Sequence, residues 1–334
     1  MGEAQLEDMD EKDGVCRSLL RNIMLLTGDM EHLDSHLQDW PVALQLVVWG
    51  LRGVTRVILA NNPLSGALIL SALYWTSPWQ CLLGTLGVLT STLTAALIGL
   101  DSAEISGGLH GFNGMLVSLL MGVFSSAGDW YWWLLLPACL ASATCVFVNS
   151  GLSTVLAQWN LPASVFPFNI VIILYLLCTG HQHPYFPHHY VPPAWMLELN
   201  ATAVEGVQVM LGIPLGVGQI FACDALGPSL IILAAVLLYS PLLAAHALLG
   251  SAMGTLAAFL SAYMDIALSN LLGKVGLPAC SWASTLTSTL MLLLGGSLST
   301  YRIPTDEVRA PEVNLHCQAQ WRGGKASRRG SSHV

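Results

Sequence analysis

Apolar residues run through most of this chain in blocks, and the blocks are separated by breaks rich in glycine, proline and asparagine. In the first half they read Pro41 to Ala60, Leu64 to Ser77, Trp79 to Leu100, Gly108 to Ser125, Trp130 to Val148 and Phe166 to Thr179. A polar stretch, Gly180 to Gly206, interrupts the pattern. It resumes with Val207 to Ala222, Leu226 to Pro241, Leu242 to Ala262 and Ala283 to Leu298. Each block predicts a helix. Several are shorter than the roughly 20 residues that cross a bilayer. Short apolar segments, broken at corresponding places in two halves, predict discontinuous helices around a site near the membrane midplane.

Composition turns that pattern into a class. Of 334 residues, 54% are hydrophobic and only 10% charged, with a mean hydropathy of +0.62. A soluble domain carries about 25% charged residues. Lysine and arginine are absent between Arg56 and Lys274. The expected fold is therefore an all-α integral membrane protein. The net charge of −8 comes mostly from an acidic start (Glu3, Glu7, Asp8, Asp10, Glu11, Asp13), and the end is basic (Arg322, Lys325, Arg328, Arg329). These tails read as solvated termini with no nucleic-acid signal. The first forty residues lack the apolar core of a cleavable signal peptide. The expected organisation is a cytosolic N-terminal segment (1–40), a first membrane repeat (41–180), an extracellular loop (181–206), a second, shortened repeat (207–300) and a cytosolic tail (301–334). The loop holds the glycosylation sequon Asn200-Ala201-Thr202. Eight scattered cysteines form no C-x-x-C and read as small buried hydrophobes.

The halves match one another. "GVTRVILANNPLSGALIL" from Gly53 aligns with "GVGQIFACDALGPSLIIL" from Gly216. "LLGTLGVLTSTLTAAL" from Leu82 aligns with "LLGSAMGTLAAFLSA" from Leu248, and "NLPASVFPF" from Asn160 with "GLPACSWAS" from Gly276. The intervals differ: Gly84 to Leu161 is 77 positions, but Gly250 to Leu277 is 27. About fifty residues of the first half, including the segment "GLHGFNGMLVSLLMGVFS", lack a counterpart in the second.

Several stretches in order, among them "TGDMEHLDSHLQDWPVALQLVVWGLRG", "NNPLSGALIL", "GLHGFNGMLVSLLMGVFS", "LPASVFPFN" and "GVGQIFACD", resemble the vertebrate urea transporters from about Thr27 to Gln320. The resemblance implies two repeats of inverted topology with re-entrant helices, one pore per subunit, a trimer (of this chain or mixed with full-length relatives) and passive transport of urea, with water or urea analogues as further permeants, across the plasma membrane, with no cofactor; the shortened second repeat implies impaired transport or, alternatively, a non-conducting member that modulates full-length subunits. It makes Leu59, Phe112, Leu116 and Gln219 candidate pore residues. Two positions depart from the family pattern: Arg56 stands at a pore glutamine, and Val165 at a threonine whose second-half counterpart is Ser281.

The residues suit that task. Urea is neutral, planar and rich in hydrogen-bonding groups, so stripping its water without replacement costs several kcal/mol per polar group. Broken helices supply acceptors, because the last turn of a helix leaves carbonyls unpaired. Asn62-Pro63 and Leu161-Pro162 are candidate breaks. Gly66 is a candidate structural glycine, and Gly108 and Gly111 permit close helix approach. Asn113 either fixes a carbonyl ladder or ties one helix to another. Arg56 either snorkels to an interface or faces the pore. The histidines of "HQHPYFPHHY" (181–190) read as a surface loop rather than a metal site. Asp101 and Glu104 sit at a span boundary, and no acid pair lies mid-span. No phosphate-binding loop or nucleophile elbow occurs. His246 with Ser251 is the one pair that a membrane-embedded enzyme would use.

Overall fold

A computed structural model describes residues 26–30, 32–37, 39–126, 129–179, 183, 185–186, 206–264, 285–293 and 310–315. Its helices are α1 (His32–Leu37), α2 (Val42–Arg56), α3 (Pro63–Thr76), α4 (Pro78–Leu97), α5 (Ser102–Ser106), α6 (Gly111–Ser126), α7 (Leu135–Leu156), α8 (Phe166–Cys178), α9 (Gly206–Gly218), α10 (Leu226–Tyr239) and α11 (Pro241–Met264). Residues 285–293 are also helical. The expected all-α membrane fold is the one observed. Pro78–Leu97 and Trp132–Trp159 are long and apolar enough to cross a membrane, and Met210–Phe221 with Leu226–Tyr239 forms a pair bent by 77°.

Local chemistry sets the boundaries. Asn62 caps α3 by accepting from the Leu64 and Ser65 N–H groups, with Pro63 at the first position. Ser77 does the same for α4, ahead of Pro78. Asp101 caps α5. The expected end of the fifth block at Val148 is short, because α7 carries on through Asn149, Ser150, Ser153 and Thr154. Those residues lower hydropathy without breaking a helix, and the Thr154 hydroxyl bonds back to the Ser150 carbonyl.

The duplication is visible as geometry, with a single offset of 163 positions. Leu59 and Ala222 are both left-handed, at φ 61° and 56°. The Ala60 N–H bonds to the Thr55 carbonyl, and the Cys223 N–H to the Gly218 carbonyl. Ser77 (φ −155°, ψ 116°) matches Ser240 (φ −156°, ψ 117°). Gly53 packs on Val88, and Gly216 on Ser251. This corrects the second sequence match, which places Leu82 against Leu248 and is three residues out of register. Small residues recur there at near-helical spacing, so a slip of about one turn still pairs glycine with glycine.

The equivalent helices α3 and α10 run antiparallel. The Ser65 hydroxyl donates to the Ala235 carbonyl at 2.7 Å, and Trp75 lies over Gly227. Two copies of one motif packed antiparallel are related by a two-fold axis across their long direction, which is inverted topology.

The first repeat is built around α6. Every residue from 111 to 125 is buried, and α2, α4, α7 and α8 all pack on it. The approach to α4 is close. A Cβ at Gly87 would collide with the Ser118 hydroxyl and stand 2.5 Å from the Gly114 carbonyl oxygen. Gly108, at φ +74°, turns the chain into α6 where a side chain would strike the backbone of Arg52 and Gly53.

Candidate functional site

The two helix breaks are the natural starting point. At the end of α2 the Thr55 carbonyl takes both the Ile58 and Ala60 N–H groups, and the Arg56 carbonyl takes Leu59 N–H. The helix then reverses at left-handed Leu59, so the carbonyls of its last turn lack the usual partner four residues on. The second repeat repeats this at Gly218, Gln219 and Ala222.

Packing brings the breaks together. Val57 and Ala222, one from each break, both touch the two main apolar clusters. The first cluster contains Phe112 and Leu116 of α6 and Phe168 of α8, with Val165 packed against it. Phe112, Leu116 and Val165 therefore share one apolar wall beside both breaks. Leu59 itself is exposed, as is Gln219. Ser281 and Asn200 lie outside the described residues.

Asn113 ties one helix to another. Its Nδ2 donates to the Ser164 carbonyl at 3.2 Å, and its Oδ1 accepts the Phe168 N–H at 3.2 Å. It therefore fixes the turn that presents Val165, with Ser164 at φ 48°. Asn62 is likewise fully engaged and buried. Besides capping α3, its Nδ2 donates to the carbonyls of Leu26 and Gly28, at 2.8 and 2.9 Å. Pro63 is buried behind it. Both asparagines position backbone. Gly111 packs against Gly53 and Val88, and Gly66 against Leu51.

Arg56 and Gln219 are equivalent positions with different surroundings. The Arg56 Nε donates to the Gly107 carbonyl at 2.7 Å, within electrostatic reach of Asp29 and Tyr239. The guanidinium is thus drawn inward, onto the turn between α5 and α6. Four residues earlier, buried Arg52 pairs with Asp34 at 2.5 Å and with the Ser106 carbonyl at 3.2 Å. Glu104 pairs with buried His110 at 3.2 Å.

Sequence reasoning missed a second cluster at this face. The Tyr239 hydroxyl donates to Asp29 at 3.1 Å, and the Tyr239 carbonyl accepts the Gly28 N–H. Next to it, the Glu312 carboxylate accepts from the Ser240 hydroxyl at 2.6 Å and the Leu242 N–H at 3.1 Å. Segments before α2 and after the last apolar block thus dock side by side. The only signal in sequence is the repeated Ser-Pro at Ser77-Pro78 and Ser240-Pro241. His246 and Ser251 do not pair: the ring bonds to the Leu242 carbonyl and the hydroxyl to the Ile213 carbonyl. His183 accepts from the Tyr185 and Phe186 N–H groups in a loop turn.

Comparison with known proteins agrees with this architecture. The family model described as "Urea transporter" matches residues 47–262. The proteins named Urea transporter 1 from Capra hircus and Rattus norvegicus are similar to this chain. The first is 36% identical over 346 residues, covering 89% of this chain and 90% of the relative. The second is 34% identical over 342 residues, covering 88% and 89%. In the Capra hircus alignment, 89% of 334 residues (about 297) spans 346 positions, so about fifty positions have no residue from this chain.

Proposed function

The chain belongs to the urea transporter family, and from that membership we propose that it passes urea passively across a membrane between its two repeats, at a reduced rate. It is a transporter and not an enzyme. The observation that carries the reading is the twin break at Leu59 and Ala222, two-fold related and meeting beside Phe112, Leu116 and Val165. The Arg56 and Gln219 carbonyls, each taking one backbone N–H, keep a lone pair that accepts from the amino groups of urea, while the apolar wall fits its flat faces and leaves ions unsolvated.

The reduced rate follows from the second repeat. Its correspondence with the first holds at an offset of 163 through α11, and "GLPACSW" resumes at an offset of 116. The difference, 47 positions, matches the gap against the relatives and equals α5, α6 and the start of α7 in length. The first repeat presents Phe112 and Leu116 on α6, and the second has no sequence to present their counterparts. Arg56 and Val165 act in the same direction, adding a charge and removing a hydroxyl. We further propose a plasma-membrane location with both termini cytosolic, consistent with residues 26–30 and 310–315 docking on one face. Asn200 then faces outside and carries a glycan. Assembly is as a homotrimer, or as a mixed trimer with full-length relatives.

The test is isotope flux of urea into liposomes holding the purified chain. Flux is expected to be measurable, independent of sodium, protons and ATP, and well below that of a complete relative per molecule. Inserting a relative's missing segment between Ala262 and Tyr263 raises it, and Arg56→Gln raises it further. Uphill accumulation, or a full relative's rate from the unaltered chain, overturns the proposal. Glycosidase treatment of intact cells should shrink the protein.

A further inference from the structure

On the reading that urea passes between the two repeats, we propose that residues 26–30 and α1 form a brace that sets the width of one mouth of the pathway, with Asp29 and Tyr239 as its positioning residues. The brace touches three parts of the protein. At the start of α3, the Asn62 Nδ2 donates to the Leu26 and Gly28 carbonyls. At the end of α10, the Tyr239 carbonyl accepts the Gly28 N–H at 3.1 Å, and the Tyr239 hydroxyl donates to Asp29 at 3.1 Å. Asp34 of α1 pairs with Arg52, whose Nη1 also donates to the Ser106 carbonyl in the approach to α6. Gly28 alone bonds to both repeats, through its carbonyl to Asn62 and through its N–H to Tyr239. These contacts surround an opening. Tyr239 and Ala60 are buried against one another, with Ile58 packed on them, while Leu59 between Ile58 and Ala60 is 76% exposed. The break at Leu59 therefore reaches the surface beside Tyr239, and whatever fixes Tyr239 against Asn62 fixes the width there.

The internal duplication separates this role from plain support of the fold. At the offset of 163, Asn62 corresponds to Ala225, Tyr239 to Thr76 and Arg52 to Leu215. Ala225 and Leu215 bring no side-chain donor, and the Thr76 hydroxyl is taken up by the Ala72 carbonyl and the Cys223 sulfur. The twin break at Ala222 nevertheless keeps the same left-handed turn and the same backbone bonds. A break of this kind thus forms without the three donors. What the brace adds is the placement of α10 against the break at Leu59, and the width of a passage is one of the properties that selects its permeants.

The experiment measures entry of urea and of the bulkier methylurea into liposomes holding the full chain, and takes the ratio of the two fluxes. A loosened mouth favours the larger permeant, whereas a general loss of folded protein lowers both fluxes by one factor and leaves the ratio unchanged. Tyr239→Phe removes only the hydroxyl. It should raise the methylurea-to-urea ratio by roughly threefold, part of the tenfold or greater discrimination that one methylene allows in a fitted site. Asp29→Ala should match it, and the double variant should go no further, because both changes remove one bond. Tyr74→Phe, at an exposed tyrosine of α3, should leave the ratio as it is. Hydrogen exchange on the same liposomes, read over residues 26–30, should show protection falling about fivefold in Tyr239→Phe, the worth of one hydrogen bond. That readout needs no flux. Protection lost with the ratio unchanged overturns the proposal, and so does protection retained. A double variant whose effect is the product of the two single effects also overturns it, since the residues would then act separately. An unaltered chain that passes neither permeant refutes transport itself and the proposal with it. The proposal alone fails where both permeants pass and the ratio stays fixed.

Discussion

Gly66→Ala should destabilise the protein far more than a change of one methyl group suggests. Gly66 opens the second turn of α3, at the point where α3 crosses back over α2. An added Cβ would overlap the Leu51 carbonyl oxygen outright and stand 2.8 Å from its carbon and 3.1 Å from its Cα. These atoms are backbone, so no rotamer change relieves the collision. One helix must move by roughly an ångström. Overpacking typically costs about 1–3 kcal/mol where side chains can adjust, and this site lies at or above the top of that range. Three kcal/mol is roughly a hundredfold in the folding equilibrium. The displacement also carries α2 off the Gly108 turn, which packs on the backbone of Arg52 and Gly53, so flux falls with stability. The sister residue is the control. Ser229 stands at the equivalent position and already carries a side chain, with Pro214 at the place of Leu51 in a helix that proline disrupts. Ser229→Ala loses one bond to the Ala225 carbonyl, worth about 1 kcal/mol. Equilibrium unfolding in mixed detergent–SDS micelles reads both variants. Equal midpoints for Gly66→Ala and the unaltered chain would refute the claim that α2 and α3 touch through backbone.

Asn113→Leu keeps the branched shape but leaves the buried Phe168 N–H without its acceptor, so it should cost about 1–3 kcal/mol and lower flux by loosening the Val165 turn. The same unfolding titration and a liposome flux assay check it. Tail docking should depend on pH through Glu312. Partial burial works against its charge, but the Ser240 hydroxyl, the Leu242 N–H and its own N–H outweigh that and hold it below the ordinary glutamate range. A depressed folded value means that docking is at full strength at neutral pH and is lost as pH falls through that value. The hydrogen-exchange protection factor at Val313, taken against the intrinsic rate at each pH, should therefore be high at pH 7 and fall under acid. Glu312→Gln should show a low protection factor at both.

The helices were legible because hydropathy reports burial in lipid as well as in protein, and caps such as Asn62-Pro63 and Ser77-Pro78 mark where they start. The two left-handed turns were not. Leucine at 59 and alanine at 222 carry no preference for that conformation, which the surrounding hydrogen bonds impose. Asn62 was legible as a break, but its second duty, holding the carbonyls of Leu26 and Gly28, depends on a segment 34 to 36 residues away. Arg56 shows the same limit. Sequence offered a choice between an interface and a pore, and the carbonyl that takes its Nε belongs to a turn brought there by folding.

Arg56 and Gln219 occupy equivalent positions, at equivalent breaks, with equivalent backbone bonds. Arg56 is satisfied by the Gly107 carbonyl, which lies in the stretch that has no counterpart in the second half. A guanidinium in an apolar setting without such an acceptor would face a cost of about 2.5–3.5 kcal/mol or more. A neutral amide carries no such charge and tolerates exposure at the break. Arginine in place of glutamine is therefore tolerable at 56, where the turn between α5 and α6 supplies the Gly107 carbonyl to hold it.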